Sequence, residues 1–493
     1  MKRSNKLYIL LGVLAAACVV TFGVVKQEEK KEKIKNSDET ILEVPGDSVK
    51  TLSWQYESKT LSFHKDEKWM YDEDDAFPVD EEKIGDMLGL FEDFGVAFTI
   101  EDVEDYGQYG LDQPQCTVDF ATEDQSYEVK IGDYSKMDSQ RYVSIGDGNV
   151  YLVKVDPLEF FDAELSDVID NDDIPDFDEI SGLQFSGLDT DYSVTYEEDS
   201  KNTYCADDVY FTEKDGKTVP LDTSRVKDYV KTVQDLDLTN YVNYKVTEDE
   251  LNTYGLDAPE LTMAIDYTTE ASKEKGTEET SGTFKLSVSC DPRDREKAER
   301  IEAEAQKKTE KDTEEGMDPS SESEDEDKKE EFRVYARVGE SPIVYQITTD
   351  EYESLKKASY NDLRHPEVLS ADFEDVSQVM VSLDGQDYAL TSEKKGKERD
   401  WSYQEKEISM DEFQKALESL KADSFTEEKP TGKEEIRVTV ALDNENFPEV
   451  TMEFYRYDGT SCLAVVDGEP VSLVGRSKVV DLIEAVNAIV LEK

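Results

Sequence analysis

Histidine is almost absent from this chain, whose 493 residues include His64 and His365 and no other imidazole. Histidine is the commonest general base at neutral pH, so this scarcity leaves few options for acid–base catalysis. The two histidines share no motif, and a surface or packing role is expected for each. The sequence also lacks G-x-S-x-G, H-E-x-x-H and P-loop strings. We therefore expect a non-enzyme with no catalytic, cofactor-binding or metal-binding residues.

Basic residues are the second shortage, with 55 Lys and Arg against 118 Asp and Glu and a net charge of −63. A nucleic-acid partner is excluded, because phosphate binding requires a basic surface. The charge also disfavours a chain that lies flat on anionic lipid headgroups. Such acidity is typical of a solvated, self-repelling surface. Binding of cations or of a basic partner is the alternative.

Cysteines are few and scattered, at positions 18, 116, 205, 290 and 462. No CxxC pair occurs, and the spacing does not fit a metal site. Outside the N-terminal apolar run, both disulfides and buried free thiols are compatible with this distribution.

A long apolar run occurs once, from Leu7 to Val25, after a basic N-terminal end. Its length fits one bilayer-spanning helix, and the preceding basic residues place the N-terminus in the cytoplasm. We expect residues 1–25 to form a cytoplasmic stub and membrane anchor, followed by a polar stalk at 26–43 and an extracytoplasmic remainder. A cleaved signal peptide and a lipoprotein signal with Cys18 as the lipidated residue are the alternatives.

A W-x-Y-like strand followed by an aspartate-capped amphipathic helix occurs three times, which indicates tandem repeats. The strand segments are Trp69-Met70-Tyr71, Val209-Tyr210-Phe211 and Trp401-Ser402-Tyr403. The helix entries are Phe77-Pro78-Val79-Asp80, Val219-Pro220-Leu221-Asp222 and Ile408-Ser409-Met410-Asp411. The pattern explains the tryptophans Trp54, Trp69 and Trp401 as core residues of alternating strands, with a carbohydrate-binding surface as the alternative.

A turn with the sequence Tyr-Gly-Leu-Asp-x-Pro occurs in two of the units, at 109–114 and again at 254–259. Glycine permits a positive φ angle and proline fixes the exit, so the turn needs no ligand to explain it. In the third unit, Lys429-Pro430-Thr431-Gly432 replaces it. A degenerate last copy is typical of a capping repeat.

Helix starts can be placed from capping signals. Asp80 is positioned to cap a helix whose apolar stripe we extend to Phe94. Ser409 and Glu412 fit a capping box in the third unit.

The predicted fold is α+β, with three tandem repeats of mainly antiparallel sheet and helices packed on one face. The boundaries are 44–175 for the first repeat, 176–368 for the second and 369–493 for the third. The second repeat carries a highly charged insertion at about 291–331, whose composition predicts disorder.

Two acidic clusters could in principle hold calcium. One comprises Asp170–Asp173 with Asp176 and Asp178, and the other spans Asp72–Asp75. Pro175 stands where an EF-hand loop requires glycine, so the first cluster is interpreted as a linker between repeats. The second cluster is interpreted as an acidic turn before the helix that Asp80 caps.

These residues resemble the bacterial family called domain of unknown function 4340. The anchor, the W-x-Y strand before a P-x-D helix entry and the Tyr-Gly-Leu-Asp-x-Pro turn carry the resemblance, which covers nearly all of the exported chain. It implies an anchored extracytoplasmic protein linked to ATP-binding-cassette transporters, similar to those associated with gliding motility. It implies no catalytic residues.

The expected function is therefore that of a non-enzymatic accessory, with a membrane partner such as a transporter permease. The alternative is a module that binds cell wall or glycan through exposed aromatic residues. An envelope hydrolase with a carboxylate pair is the weakest hypothesis.

Overall fold

The computed structural model describes residues 39–101, 103–187, 191–271, 278–295, 297, 300, 332–396 and 398–491. The predicted anchor at 7–25, most of the stalk and residues 301–331 of the insertion lie outside these ranges. Among the described residues, no helix combines the length and the apolar composition needed to cross a bilayer.

The described chain is mostly strand. The first sheet contains β1 (Thr40–Leu42), β2 (Val49–Tyr56), β3 (Lys59–Lys65), β4 (Trp69–Tyr71), β5 (Phe94–Ile100), β6 (Cys116–Thr122), β7 (Ser126–Ser135), β8 (Gln140–Ser144) and β9 (Val150–Val153). The second contains β10 (Glu179–Gly187), β11 (Tyr192–Tyr196), β12 (Tyr210–Lys214), β13 (Lys217–Pro220), β14 (Tyr241–Asn243), β15 (Leu261–Thr269), β16 (Thr280–Cys290), β17 (Val334–Val338) and β18 (Val344–Ile347). The third contains β19 (Val376–Leu383), β20 (Gln386–Lys395), β21 (Glu398–Tyr403), β22 (Lys406–Ile408), β23 (Ala422–Phe425), β24 (Glu434–Leu442), β25 (Glu449–Arg456), β26 (Ser461–Val466) and β27 (Glu469–Gly475).

Helices connect and cover these strands. The α-helices are α1 (Glu81–Gly89), α2 (Leu158–Phe161), α3 (Thr223–Gln234), α4 (Thr349–Leu355), α5 (Tyr360–Leu363), α6 (Asp411–Glu418) and α7 (Arg476–Leu491). Short 3₁₀ turns lie at Gly46–Ser48, Gly107–Tyr109, Leu165–Asp167, Glu248–Thr253 and Phe373–Asp375.

The second and third sheets share one strand order. It runs β13-β12-β11-β10-β15-β16-β17-β18-β14 in the second and β22-β21-β20-β19-β24-β25-β26-β27-β23 in the third. The order in the first sheet is β1-β5-β9-β8-β7-β6-β2-β3-β4. Read from β4, eight of its strands follow the order of the other two sheets, and β1 is an additional strand at the edge. Its strand pairs, like those of the other two sheets, are antiparallel. The predicted α+β fold with three antiparallel repeats is thus confirmed.

Each of the helices α1, α3 and α6 crosses its sheet from one side to the other. The strand before the helix lies at one edge, and the strand after it joins the opposite side. Asp80 caps α1, where its carboxylate accepts a hydrogen bond from the backbone of Lys83 at 2.9 Å, as predicted. Asp222 caps α3 in the same way.

The capping box predicted for the third repeat is wrong. Helix α6 begins at Asp411, so the N-cap position falls on Met410, which has no side-chain acceptor. The hydroxyl of Ser409 accepts a hydrogen bond from the backbone of Asp411 at 3.2 Å instead. Glu412 therefore stands one position too early in the helix to complete the box.

The strand that follows each crossing helix was not predicted. The apolar stripe of α1 ends with Met87 and Leu88, and Phe94, which we had placed on the helix, begins β5. The apolar residues continue from helix to strand without proline or a cluster of turn residues to mark the change. The later counterparts β14 and β23 are only three and four residues long, too short for a pattern of period two.

The core of the third sheet shows how the helices are held. Alternate strand residues are buried along β24 and β25, as expected for a sheet covered on one face. Phe413 of α6 and Leu482 of α7 belong to the same apolar cluster as Trp401. Trp54 and Trp69 are buried as well, so the core role predicted for the three tryptophans is confirmed.

The repeated turn adopts the backbone that its glycine predicts. Gly110 has φ +68° and Gly255 has φ +71°, a left-handed conformation that L side chains rarely adopt. A Cβ atom built on Gly255 would lie 2.8 Å from the hydroxyl oxygen of Ser289 and 3.1 Å from the carbonyl oxygen of Cys290. The turn is therefore tight and also packs closely against β16. Both properties explain its glycine, so its role is structural.

The chain divides into two compact units. The first comprises the described residues up to Asp172, together with Leu238–Thr247 and Pro342–Tyr345. The second comprises Asp173–Asp237, Glu248–Ser341 and the residues from Gln346 onward, and so contains the third sheet whole.

The base of the charged insertion is closed by Asp291, whose side chain is fully buried. Its backbone donates a hydrogen bond to the carbonyl of Arg333 at 2.9 Å. Its carboxylate accepts hydrogen bonds from Arg293 at 2.8 and 2.6 Å and from the Tyr335 hydroxyl at 3.2 Å. The hydrogen bonds from Arg293, together with the nearby charge of Arg333, outweigh burial and lower the pKa of Asp291 to about 2.

We predict that Gly255→Ala destabilises the protein more than Gly216→Ala. Gly216 has a similar φ of +74° but open space around its Cβ position. Both substitutions impose a backbone strain of about 1–2 kcal/mol, and only Gly255→Ala adds a collision with β16. Thermal unfolding by calorimetry should show the larger loss for Gly255→Ala. Equal losses would mean that contact with β16 does not constrain the turn.

We predict that Asp291→Asn lowers the free energy of unfolding by about 2 kcal/mol at neutral pH, the value of a depression of nearly two pKa units. Because the folded-state pKa is lowered, the stabilisation is present above pH 4 and disappears as the pH falls from 3.8 towards 2. Urea unfolding of both proteins across this range measures the difference. Asp384→Asn, which alters a side chain that is 82% exposed, should have little effect at any pH. A constant difference between wild type and Asp291→Asn would contradict the assignment.

Candidate functional site

A cluster of polar side chains surrounds His365 in the second unit. His365 follows α5 and precedes Pro366 in the connection between the second and third repeats. Cys205 and Asp208 come from the loop between β11 and β12, and Asp222 is the N-cap of α3. Glu367 follows the proline and forms an isolated bridge with Lys421 just before β23. We call these five residues, Cys205, Asp208, Asp222, His365 and Glu367, the His365 cluster.

One side of the imidazole ring is in direct contact with a buried carboxylate. Nε2 of His365 lies 2.7 Å from Oδ1 of Asp208, whose side chain is 1% exposed. Oδ2 of Asp208 accepts a hydrogen bond of 2.7 Å from the hydroxyl of Thr203. Because a carboxylate only accepts hydrogen bonds, Nε2 carries the proton. The loop thus fixes both the position and the tautomer of the ring.

The other ring nitrogen faces two further carboxylates without touching either. Nδ1 lies 4.0 Å from Oδ2 of Asp222 and 3.8 Å from Oε2 of Glu367. Both distances exceed the range of a hydrogen bond. Each carboxylate is fixed through its second oxygen. Oδ1 of Asp222 accepts from the backbone of Ser224 at 2.9 Å, and Oε1 of Glu367 lies 2.8 Å from Nζ of Lys421.

The ionisation of the cluster follows from burial and from these charges. Burial opposes protonation of His365, but the hydrogen bond that its Nε2 donates to Asp208 and the charges of Asp208, Asp222 and Glu367 prevail, and the pKa of the ring is raised. Burial and the neighbouring Asp208 raise the pKa of the Cys205 thiol to about 11. The thiol is therefore protonated at neutral pH and is not an activated nucleophile.

The His365 cluster contains donor atoms of the types that could hold a cation. Two groups of three candidate ligands within the described residues have their donor atoms within 4.8 Å of one another. One is Cys205, Asp208 and His365, and the other is Asp222, His365 and Glu367.

A comparison with known protein families identifies the chain. The model described as domain of unknown function, DUF4340, matches residues 69–259 and 325–439, which is more than half of the sequence. The chain belongs to the DUF4340 family. The matched residues include both Tyr-Gly-Leu-Asp-x-Pro turns and the whole His365 cluster. No curated protein and no solved structure matches this chain.

In this DUF4340 protein the two histidines occupy different surroundings. His64 lies on β3, where Nδ1 is 2.6 Å from Oδ1 of Asp72 and both side chains are solvent-accessible. His365 was expected to have a surface or packing role, and the sequence offered no sign of its partners. Positions 205 and 367 lie at opposite ends of the second repeat, so no local spacing relates them. Asp222 was predicted as the start of a helix, and the sequence singled out His365 and Cys205 only as rare residue types.

The acidic clusters considered for calcium do not gather three ligand atoms among the described residues. Asp72 pairs with His64, and Asp74 pairs with Lys245 and Tyr244. Asp172 accepts a hydrogen bond of 2.9 Å from Tyr345. The carboxylate of Asp178 accepts from the backbone of Glu270 at 2.8 Å. These side chains therefore fasten turns and connections.

The cysteines of the described chain are free thiols. Cys116, Cys290 and Cys462 are buried, and Cys205 is partly exposed. Of the two possibilities that the sequence left open, the structure shows thiols for these four.

A cleft of about 1150 Å³ opens in the second unit beside helix α3. Its lining residues include Phe177, Tyr196, Tyr210, Lys227 and Lys231. Tyr210 is buried and packs edge-on against Tyr196, which is 45% exposed. The lining of the cleft therefore combines aromatic side chains with two lysines.

We predict that Asp208→Asn destabilises the protein by about 1–3 kcal/mol, because it removes the charge from a buried hydrogen-bond acceptor. Asp72→Asn is the matched control, since Asp72 also pairs with a histidine but is 43% exposed. It should change the free energy of unfolding by less than about 1 kcal/mol. Chemical unfolding followed by circular dichroism measures both, and equal losses would contradict a special role for the buried pair.

Proposed function

We propose that this protein is a non-enzymatic, membrane-anchored extracytoplasmic component of an ATP-binding-cassette transporter or another cell-envelope system, with a role in binding a membrane partner. The observation that supports this most directly is the threefold recurrence of one strand order. Proteins built from repeated units present extended surfaces, and such surfaces are suited to contacts with other proteins.

The sheet faces opposite the helices carry polar side chains suited to such contacts. On the third sheet, Thr439 and Thr451 are hydrogen-bonded across the strands at 3.0 Å, and Arg437 pairs with Glu453 at 2.7 Å. On the second sheet, Thr262 and Ser287 make a similar pair at 3.3 Å. These faces are hydrophilic, which favours a polar, reversible interface over a permanent apolar one.

The negative net charge of the chain favours a partner with a basic surface. With a net charge of −63, the exported part is repelled by anionic lipid headgroups and by acidic polymers. It is attracted to a basic surface, and electrostatic attraction of this kind speeds the encounter of two proteins. The anchor in the proposal rests on the apolar sequence from Leu7 to Val25 and on the basic residues before it.

The second candidate is a module that binds cell wall or glycan, and the cleft beside α3 is the observation that favours it. The exposed ring of Tyr196 provides an aromatic face of the kind that sugar rings stack on, and Lys227 and Lys231 offer hydrogen-bond donors. The buried tryptophans do not contribute to this hypothesis.

The test is crosslinking in intact cells, followed by gentle detergent extraction of the tagged full chain and mass spectrometry of the co-purified proteins. We expect a transporter permease to be enriched over cells that express an unrelated anchored protein. Recovery of the chain alone would contradict the accessory role.

The second candidate function is tested with the same extract, by measuring how much of the protein is retained on isolated cell wall. Tyr196→Ala should release the protein from the wall if the cleft binds glycan. Tyr457→Ala is the matched control, because Tyr457 is also 45% exposed and does not line the cleft. Retention that neither substitution changes would reject the glycan-binding cleft.

A further inference from the structure

The side of the His365 ring that faces Asp222 and Glu367 has the arrangement of a metal-binding histidine. Metal-bound histidines commonly donate the hydrogen of their other nitrogen to a carboxylate, which fixes the tautomer and increases the basicity of the ligating atom. Asp208 provides this acceptor at 2.7 Å and is itself held by Thr203. A cation that binds Nδ1 displaces the second proton of the ring, and Nδ1 then carries a lone pair; it makes no hydrogen bond to the described residues.

The distances around Nδ1 are close to those between the ligands of one ion, and slightly longer. The nitrogen lies 4.0 Å from Oδ2 of Asp222 and 3.8 Å from Oε2 of Glu367. Tetrahedral bonds of about 2.0–2.2 Å from a divalent ion to nitrogen and oxygen place two ligand atoms roughly 3.3–3.6 Å apart. Both separations here are a few tenths of an ångström longer, which a small movement of either carboxylate towards the ion would remove. On the opposite side of the ring, the contact of 2.7 Å between Nε2 and Asp208 leaves no room for an ion.

Each of the two carboxylates is held by a contact to one oxygen, which leaves its second oxygen available as a metal ligand. Asp222 uses Oδ1 to cap α3, and Glu367 uses Oε1 to pair with Lys421. Their remaining oxygens turn towards Nδ1, although Nε of Arg225 approaches Oδ2 of Asp222 to 3.7 Å. Two carboxylates and a neutral imidazole carry a charge of −2, which balances a divalent cation.

We propose that Asp222, His365 and Glu367 bind one divalent transition-metal ion of the zinc class, with Asp208 as the residue that positions the imidazole. A mixed set of one nitrogen and two oxygens suits zinc and its neighbours better than calcium or magnesium, which prefer oxygen ligands alone. Three protein ligands leave at least one coordination position for water or for a donor from a partner. The ion would join the start of α3 to the connection that leads into the third repeat.

The test uses the purified full chain in mild detergent, stripped with a chelator and titrated with zinc by calorimetry. The buffer contains excess calcium and magnesium, which suppress adsorption of zinc to the acidic surface. It also contains salt at about 150 mM, a concentration at which surface charges are screened beyond about 8 Å. We expect one tight site per chain. His365→Gln should weaken binding at least tenfold, and His64→Gln should leave it unchanged. Asp208→Asn should weaken it by about 10–100-fold, as is usual for residues that hold a ligand.

A spectroscopic measurement keeps the proposal testable if His365→Gln does not fold. The wild-type chain contains two histidines, so ¹⁵N labelling of histidine resolves both rings. Zinc should shift the Nδ1 resonance of His365 and leave His64 unaffected. Absence of a site under these conditions, a zinc affinity that is the same in His365→Gln and His64→Gln, or an unperturbed His365 resonance would each overturn the proposal.

Discussion

The structure depends on one long-range pairing that each sheet repeats. The first strand of the repeat lies beside the strand that opens the final four-strand meander, as β2 pairs with β6, β10 with β15 and β19 with β24. Two strand systems that are distant in sequence become one sheet through this pair. A helix must then cross the sheet to reach the far side, which explains why α1, α3 and α6 occupy equivalent positions. Closing such a pair requires ordering a long loop, so it sets the topology of the repeat.

Local signals in the sequence were sufficient for much of this fold. Residues whose role depends on near neighbours were predicted correctly, such as the cap at Asp80, the turn glycines Gly110 and Gly255, and the buried tryptophans. Strand order could not be predicted, because it is decided by pairing across many residues. Short strands such as β14 escaped detection for another reason, since three residues carry no periodicity. The misplaced capping box at Ser409 reflects an error of one residue in the start of a helix, which is within the usual uncertainty of boundaries.

The candidate site lay beyond the reach of sequence for a physical reason. Its residues come from a loop, a helix start and a connection, and each has an ordinary local explanation on its own. Asp222 is a helix cap and His365 precedes a proline, so neither stands out. Their convergence becomes visible only when the two ends of the second repeat are folded together. Because antiparallel repeats leave their connections at the ends of strands, functional groups in this fold can be assembled from segments that the repeat pattern itself does not mark.

The way Asp291 closes the charged insertion has a consequence for how the insertion of this chain can change. The carbonyl of Arg333 and the carboxylate of Asp291 hold the two ends of the segment together whatever lies between them. For a segment whose ends are already fixed, doubling its length costs only about 0.6 kcal/mol in closure entropy. The free energy of unfolding of the sheet therefore depends little on the length or the composition of the insertion. The insertion can become longer or shorter, or change its residues, while β16 and β17 stay paired.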